Sequence, residues 1–150
     1  MLRTSTNILK STVTVNLAVL DTGPLVAAAD TDDARHADCL AVLSRPDLIP
    51  VIPGMALGEA AYLVGKKLGA AAEAKFLAGV AIFRVDAPRP DDLARMAELV
   101  DQYSDFPLGG TDASVVALAE RLNVTTIVTL DRRHFSAIKP KHVESFELLP

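Results

Sequence analysis

A chain of 150 residues has room for one globular domain with a sizeable core. With 50% apolar, 23% charged and only 5% aromatic residues, it excludes general disorder and requires an aliphatic interior of Val, Leu, Ile and Ala. A net charge of -4 disfavours a passive binder that grips phosphates with side-chain cations, but not an enzyme that recruits divalent ions whose charge lies outside the sequence.

Residues 1–11 read as a polar extension without the long apolar segment or cleavage site of a secretory signal. Thr12 to Leu20 combines β-branched residues with a nearly continuous apolar end, as in an interior strand covered on both faces. Asp21 stands where that strand stops. Thr22-Gly23-Pro24 reads as a turn or helix entry, Leu25 to Ala29 as a short helix, and Ala34 to Leu43 as an amphipathic helix stopped by Arg45-Pro46-Asp47. Leu48 to Ile52 is a short strand whose prolines limit its ladder. Met55 to Val64 and Gly69 to Leu77 read as helices, Val80 to Val85 as extended, and Asp91 to Tyr103 as a helix introduced by Pro88 and Pro90.

The last third is clearer. Gly109 to Asp112 opens a helix in which Val115, Val116, Ala119 and Leu122 recur at core-facing spacing. Val124 to Leu130 is a strand followed at once by Asp131, then a turn over Arg132 to Phe135 and an edge strand at Val143 to Leu148. Helices alternating with aliphatic strands predict an α/β domain over residues 12–150 with a mainly parallel sheet covered on both sides. The stretch Leu48 to Gly65 is broken by Pro50, Pro53 and Glu59, so no membrane span is expected. The single cysteine, Cys39, cannot form an internal disulfide, and a cytoplasmic location is the simpler expectation.

Four acids carry the chemistry. Asp21 and Asp131 each follow a core strand, and open parallel sheets place their ligand crevice at that edge. Glu59 is set in the apolar helix Met55-Ala56-Leu57-Gly58-Glu59-Ala60-Ala61, where burying a carboxylate is expensive without hydrogen bonds or a cation. Asp112 adjoins the Val115, Val116, Ala119 stripe near a helix amino end, whose partial positive charge favours an ionised carboxylate. Each acid taken alone also reads as a cap, turn residue or solvated charge. Brought together, the four would repel one another, and divalent cations remove that conflict. Mg²⁺ suits carboxylates with retained waters, and Mn²⁺ is a reasonable substitute. One ion could activate water against a phosphodiester and a second, roughly 3.5 to 4 Å away, could steady the leaving oxygen.

At this point the chain resembles the PIN-domain family, especially the VapC-type toxins of bacterial toxin–antitoxin pairs. The resemblance runs over about residues 17 to 148 and rests on four blocks in family order. They are Val19-Leu20-Asp21-Thr22, Gly58-Glu59-Ala60, Pro107-Leu108-Gly109-Gly110-Thr111-Asp112-Ala113-Ser114 and Thr129-Leu130-Asp131-Arg132-Arg133-His134-Phe135. It implies a three-layer α/β/α PIN-like domain and Mg²⁺- or Mn²⁺-dependent endoribonuclease activity with metal-site roles for Asp21, Glu59, Asp112 and Asp131. It also implies a homodimer and a cognate VapB-like antitoxin that suppresses cleavage of the RNA substrate.

Around these acids several residues keep two readings. Thr22 can hold Asp21 or a metal-bound water, or cap a turn; Asp105 can assist the metal, or be a solvated loop acid. Ser114 can orient phosphate or carboxylate, or be a solvent-facing hydroxyl; no base or nucleophile elbow accompanies it, which argues against a covalent nucleophile. Arg132 and Arg133 can attract RNA phosphates, with Arg35, Lys66 and Lys67 extending the path, or serve as a solvated turn and helix-end caps. His36, His134 and His142 are dispersed and read as ordinary surface histidines, and no aromatic-interleaved RNA-binding module is visible. The competing functions are a metal-dependent phosphatase or DNA nuclease with the same carboxylates, and a catalytically silent α/β interaction protein.

Overall fold

The computed structural model describes residues 14–150. The expected extension over 1–11 and the first two residues of the expected first strand lie outside that range. The elements run β1 (Asn16–Leu20), α1 (Thr22–Ala29), α2 (His36–Leu43), β2 (Leu48–Pro53), α3 (Gly54–Leu68) and α4 (Ala70–Val80). They continue with β3 (Arg84–Asp86), α5 (Pro90–Gln102), α6 (Gly110–Leu122), β4 (Thr126–Val128), α7 (Arg132–Ala137) and β5 (Glu147–Leu149).

The strands form one sheet in the order β3-β2-β1-β4-β5, and every pairing is parallel. Because strand side chains alternate faces, neighbouring residues of β1 enter different cores. Val19 joins Val51 and Ile127 beneath Leu99 of α5, Val115 and Val116 of α6 and Phe135 of α7. Ala18 and Leu20 join Ile52 and Val128 under Leu25 of α1, Val42 of α2, Val64 of α3 and Phe76 of α4. The unbroken apolar end of β1 is thus the mark of a strand covered on both sides, and the domain has the three α/β/α layers expected.

The chain steps outward from β1 to β2 and β3, then returns to lay β4 on the other side of β1. The switch between β1 and β4 opens a crevice at the carboxyl edge, where Asp21 and Asp131 emerge. Register fixes their neighbourhood, since Leu20 stands opposite Val128.

Several boundaries differ from expectation. Thr22-Gly23-Pro24 is the first turn of α1, where proline is tolerated because that N–H would be unpaired anyway. Met55 to Val64 lengthens to α3, which ends at Gly69, a glycine with φ of 89° suited to separating α3 from α4. Val80 closes α4 and packs inward, so only Arg84–Asp86 is extended and not Val80 to Val85. The last strand shortens to Glu147–Leu149, because Phe146 turns into the core and the His142 ring is engaged by the Val124 carbonyl at 2.6 Å. Cys39 is buried in α2. No helix among the described residues is long and apolar enough to cross a membrane.

Candidate active site

Each acid is delivered by a local rule of chain geometry. Asp21 leaves β1 and becomes the N-cap of α1, accepting the Thr22 N–H at 2.8 Å. Asp131 does the same for α7, accepting the His134 N–H at 3.2 Å. Asp112 sits in the first turn of α6 and reaches back to the Gly109 N–H at 3.3 Å. Glu59 comes from α3, whose Ala56, Ala60 and Val64 point inward at helical spacing and leave Glu59 on the rim. The expectation of a costly buried glutamate is corrected: Glu59 is exposed, and it is Asp21, only 6% exposed, that carries the burial cost.

All four acids line one open cleft of about 540 Å³, together with Thr22, Gly23, Leu63, Leu130 and His134. Burial pushes the Asp21 carboxyl up to about 6, with hydrogen bonds from Thr129 and Thr22 opposing the rise and negative Asp112 and Asp131 adding to it. Burial also raises Asp112, and Asp131 and Glu59 push the same way, while the Gly109 N–H and His134 hold it down. The cleft crowds negative charge, and at Asp21 and Asp112 that charge is poorly solvated. Among the described residues no group of three or more His, Cys, Asp or Glu side chains is arranged to hold a metal ion as they stand. Protein donors occupy several of the oxygens instead. Thr22 nevertheless keeps a buried hydroxyl with no hydrogen-bond partner in this wall of the cleft.

Two residues at the site escape sequence reasoning. Thr129, 1% exposed, donates its hydroxyl to Asp21 Oδ2 at 2.8 Å and accepts the Asp131 N–H at 2.9 Å, coupling both strand-end acids. Its local half was legible as a Thr-x-Asp pattern in which a hydroxyl accepts the N–H two residues on. The bond to Asp21 spans 108 residues and was not. His134, expected to be an ordinary surface histidine, is half-buried in the cleft, with Nδ1 against Asp131 Oδ2 and its ring edge-on to Phe106 at 4.9 Å.

Other candidates lie elsewhere. Ser114 is buried, donates to the Thr111 carbonyl at 2.6 Å, and lines a separate small cavity with Asp92 and Arg121. Two residues beyond Asp112, it falls on another side of the helix. Asp105 is exposed in the loop before α6 and does not line the cleft. Arg132 donates to the Leu148 and Pro150 carbonyls, both at 3.0 Å, and so tethers the C-terminal strand. Arg133 is exposed and lies over the Phe106 ring.

A PIN-domain profile matches residues 18–140, the span that contains every wall of this cleft. The chain belongs to the PIN-domain family. Within the family it is of the VapC toxin type: it is 34% identical over 137 residues to ribonuclease VapC26 of Mycobacterium tuberculosis, covering 88% of this chain and 99% of that one. Two solved structures share the PIN fold. VapC20 of Mycobacterium tuberculosis, described as a sarcin–ricin loop cleaving toxin, has a TM-score of 0.68 at 20% identity, over 75% of this chain and 87% of that one. VapBC2 of Rickettsia felis, solved bound to a DNA fragment from its promoter, has a TM-score of 0.67 at 19% identity, over 89% of this chain and 99% of the other.

Proposed function

We propose that this PIN domain is a metal-dependent endoribonuclease toxin that hydrolyses RNA phosphodiester bonds. The observation that carries the reading is the convergence of Asp21, Glu59, Asp112 and Asp131 on one cleft at the switch between β1 and β4. The 34% identical relative is named as a ribonuclease, which favours RNA over other phosphate esters.

The donor set fits Mg²⁺, with Mn²⁺ as an alternative. These are hard oxygen ligands in an open cleft, and Mg²⁺ retains several waters while taking only one or two carboxylates, so a closed cage of three side chains is not required. The Thr22 hydroxyl beside Asp21 is buried without a partner, a deficit that a coordinated water would relieve. Asp21, Asp112 and Asp131 would surround the ion, one or two of them directly and the rest through its retained waters, with Glu59 reaching in from the rim. When bound, the ion would supply water activation and charge neutralisation at the scissile phosphate.

The chain's own residues set the stage for that chemistry. Thr129 and the Thr22 N–H fix both oxygens of Asp21, so the carboxylate is oriented before substrate arrives. The burial that raises Asp21, reinforced by negative Asp112 and Asp131, means that a nearby positive charge would favour its ionised form. A cognate VapB-like antitoxin and a second copy of the chain complete the proposal. An apolar groove of about 490 Å³ between α1, α2 and α4, bordered by Ile82 at 85% exposure, supports the need for a partner chain.

The test is cleavage by purified protein of RNA, matched DNA and a phosphomonoester in Mg²⁺, Mn²⁺ or chelator, beside Asp21→Asn and Asp112→Asn. The expected result is metal-dependent cleavage of RNA alone, reduced at least about a hundredfold in both folded variants. Turnover of DNA or the monoester in preference to RNA selects a DNA nuclease or phosphatase, and partner binding without metal-stimulated turnover selects a silent interaction protein.

A further inference from the structure

A cleft lined by four acids in a chain of net charge -4 repels the polyanion it is proposed to cut. Substrate must be caught by cations close to the cleft, and several candidate cations are engaged elsewhere. Arg35 pairs with Asp38, Lys67 with Asp30, and Arg132 with C-terminal carbonyls. Arg133 and Lys66 are different. Both are exposed, neither has a carboxylate partner among the described residues, and each lies over an aromatic ring.

These two cation–aromatic pairs sit beside two walls of the same cleft. Arg133 is 5.7 Å from the centre of the Phe106 ring, and that ring meets the cleft-lining His134. Lys66 is 5.8 Å from the centre of the Tyr62 ring on α3, the helix that supplies Glu59 and Leu63 to the cleft. Tyr62 is one turn beyond Glu59 and Lys66 one turn beyond Leu63, so the pair continues that wall. Tyr62 is 62% exposed, leaving most of its surface available for stacking.

We propose that Arg133 with Phe106 and Lys66 with Tyr62 form a track that holds single-stranded RNA across the acidic cleft. The proposal rests on the ribonuclease reading and assigns the side chains of this chain that hold the strand. The cations take backbone phosphates, and packing over a ring restrains each before the strand arrives. The Tyr62 ring receives a base face, which a duplex keeps stacked on its neighbours. The aromatic interleaving absent from the linear sequence is assembled by α3, α7 and the loop before α6.

The experiment measures fluorescence anisotropy of a labelled single-stranded RNA oligonucleotide in Mg²⁺ buffer, using the Asp112→Asn background to suppress turnover. Added to it, Tyr62→Ala, Lys66→Ala and Arg133→Ala each weaken binding, Tyr62→Ala by about tenfold. Each cation variant also lowers the slope of log affinity against log salt by about 0.7. A fully paired RNA of equal length binds more weakly and is indifferent to Tyr62→Ala. All three sites are exposed, so unchanged melting temperatures show that folding is intact. Oligonucleotide binding unaffected by all three changes overturns the track while leaving the ribonuclease reading intact. A native protein that neither binds nor cleaves RNA overturns both.

Discussion

Replacing Asp21 with Asn should make the metal-free protein more stable, although it removes a residue the proposed chemistry requires. The Asp21 carboxyl stands at about 6 in the fold against 3.8 for a free aspartate, chiefly through burial. An acid raised on folding adds no cost below its unfolded value, begins to destabilise as pH rises through that value, and reaches its full cost above the folded value. The cost near neutral pH is about 3 kcal/mol, falling below about 1 kcal/mol near pH 4. Asn retains the cap on Thr22 but turns an amide toward the Thr129 hydroxyl, which offsets about 1 kcal/mol of the gain. The expected outcome in urea unfolding with chelator is a variant about 2 kcal/mol more stable near pH 7, with the advantage vanishing near pH 4. A variant no more stable than the native chain near pH 7, with a gap insensitive to acid, would refute the reasoning.

Apparent Mg²⁺ affinity, followed by the rise in melting temperature, should fall as pH drops through about 6, because a protonated Asp21 loses its charge. Thr129→Val removes the donor to Asp21 and the acceptor for the Asp131 N–H, and should cost about 1 to 3 kcal/mol. It should also move the acid limb of the cleavage profile to higher pH, a shift that a loss of packing alone would not produce. Arg121→Ala strands the buried Asp92, whose carboxylate Arg121 meets at 2.9 Å, and should destabilise by about 3 kcal/mol in urea titrations.

The positions of Asp21 and Asp131 were legible because a core strand that ends in a carboxylate is a local pattern, and Asp112 because a helix amino end attracts one. Glu59 was legible as a residue out of place, but its rim position was not. Whether a side chain on an amphipathic helix is covered depends on what packs beside its stripe, and α3 leaves that edge open to the cleft. His134 was half legible: its contact with Asp131 is a three-residue spacing at the start of α7, whereas Phe106 joins it only when α7 meets the loop before α6.

By itself the sequence determined the alternation of elements, the aliphatic double-faced core and the local delivery of each acid, because periodicity, capping and strand termination act within a few residues. Only the tertiary structure decided that β4 lies beside β1, that Thr129 couples Asp21 to Asp131, and that Arg132 is a tether while Arg133 lies over Phe106 with no carboxylate partner among the described residues. Those outcomes depend on strand order and on contacts between residues far apart in the chain, which helix and strand periods do not encode.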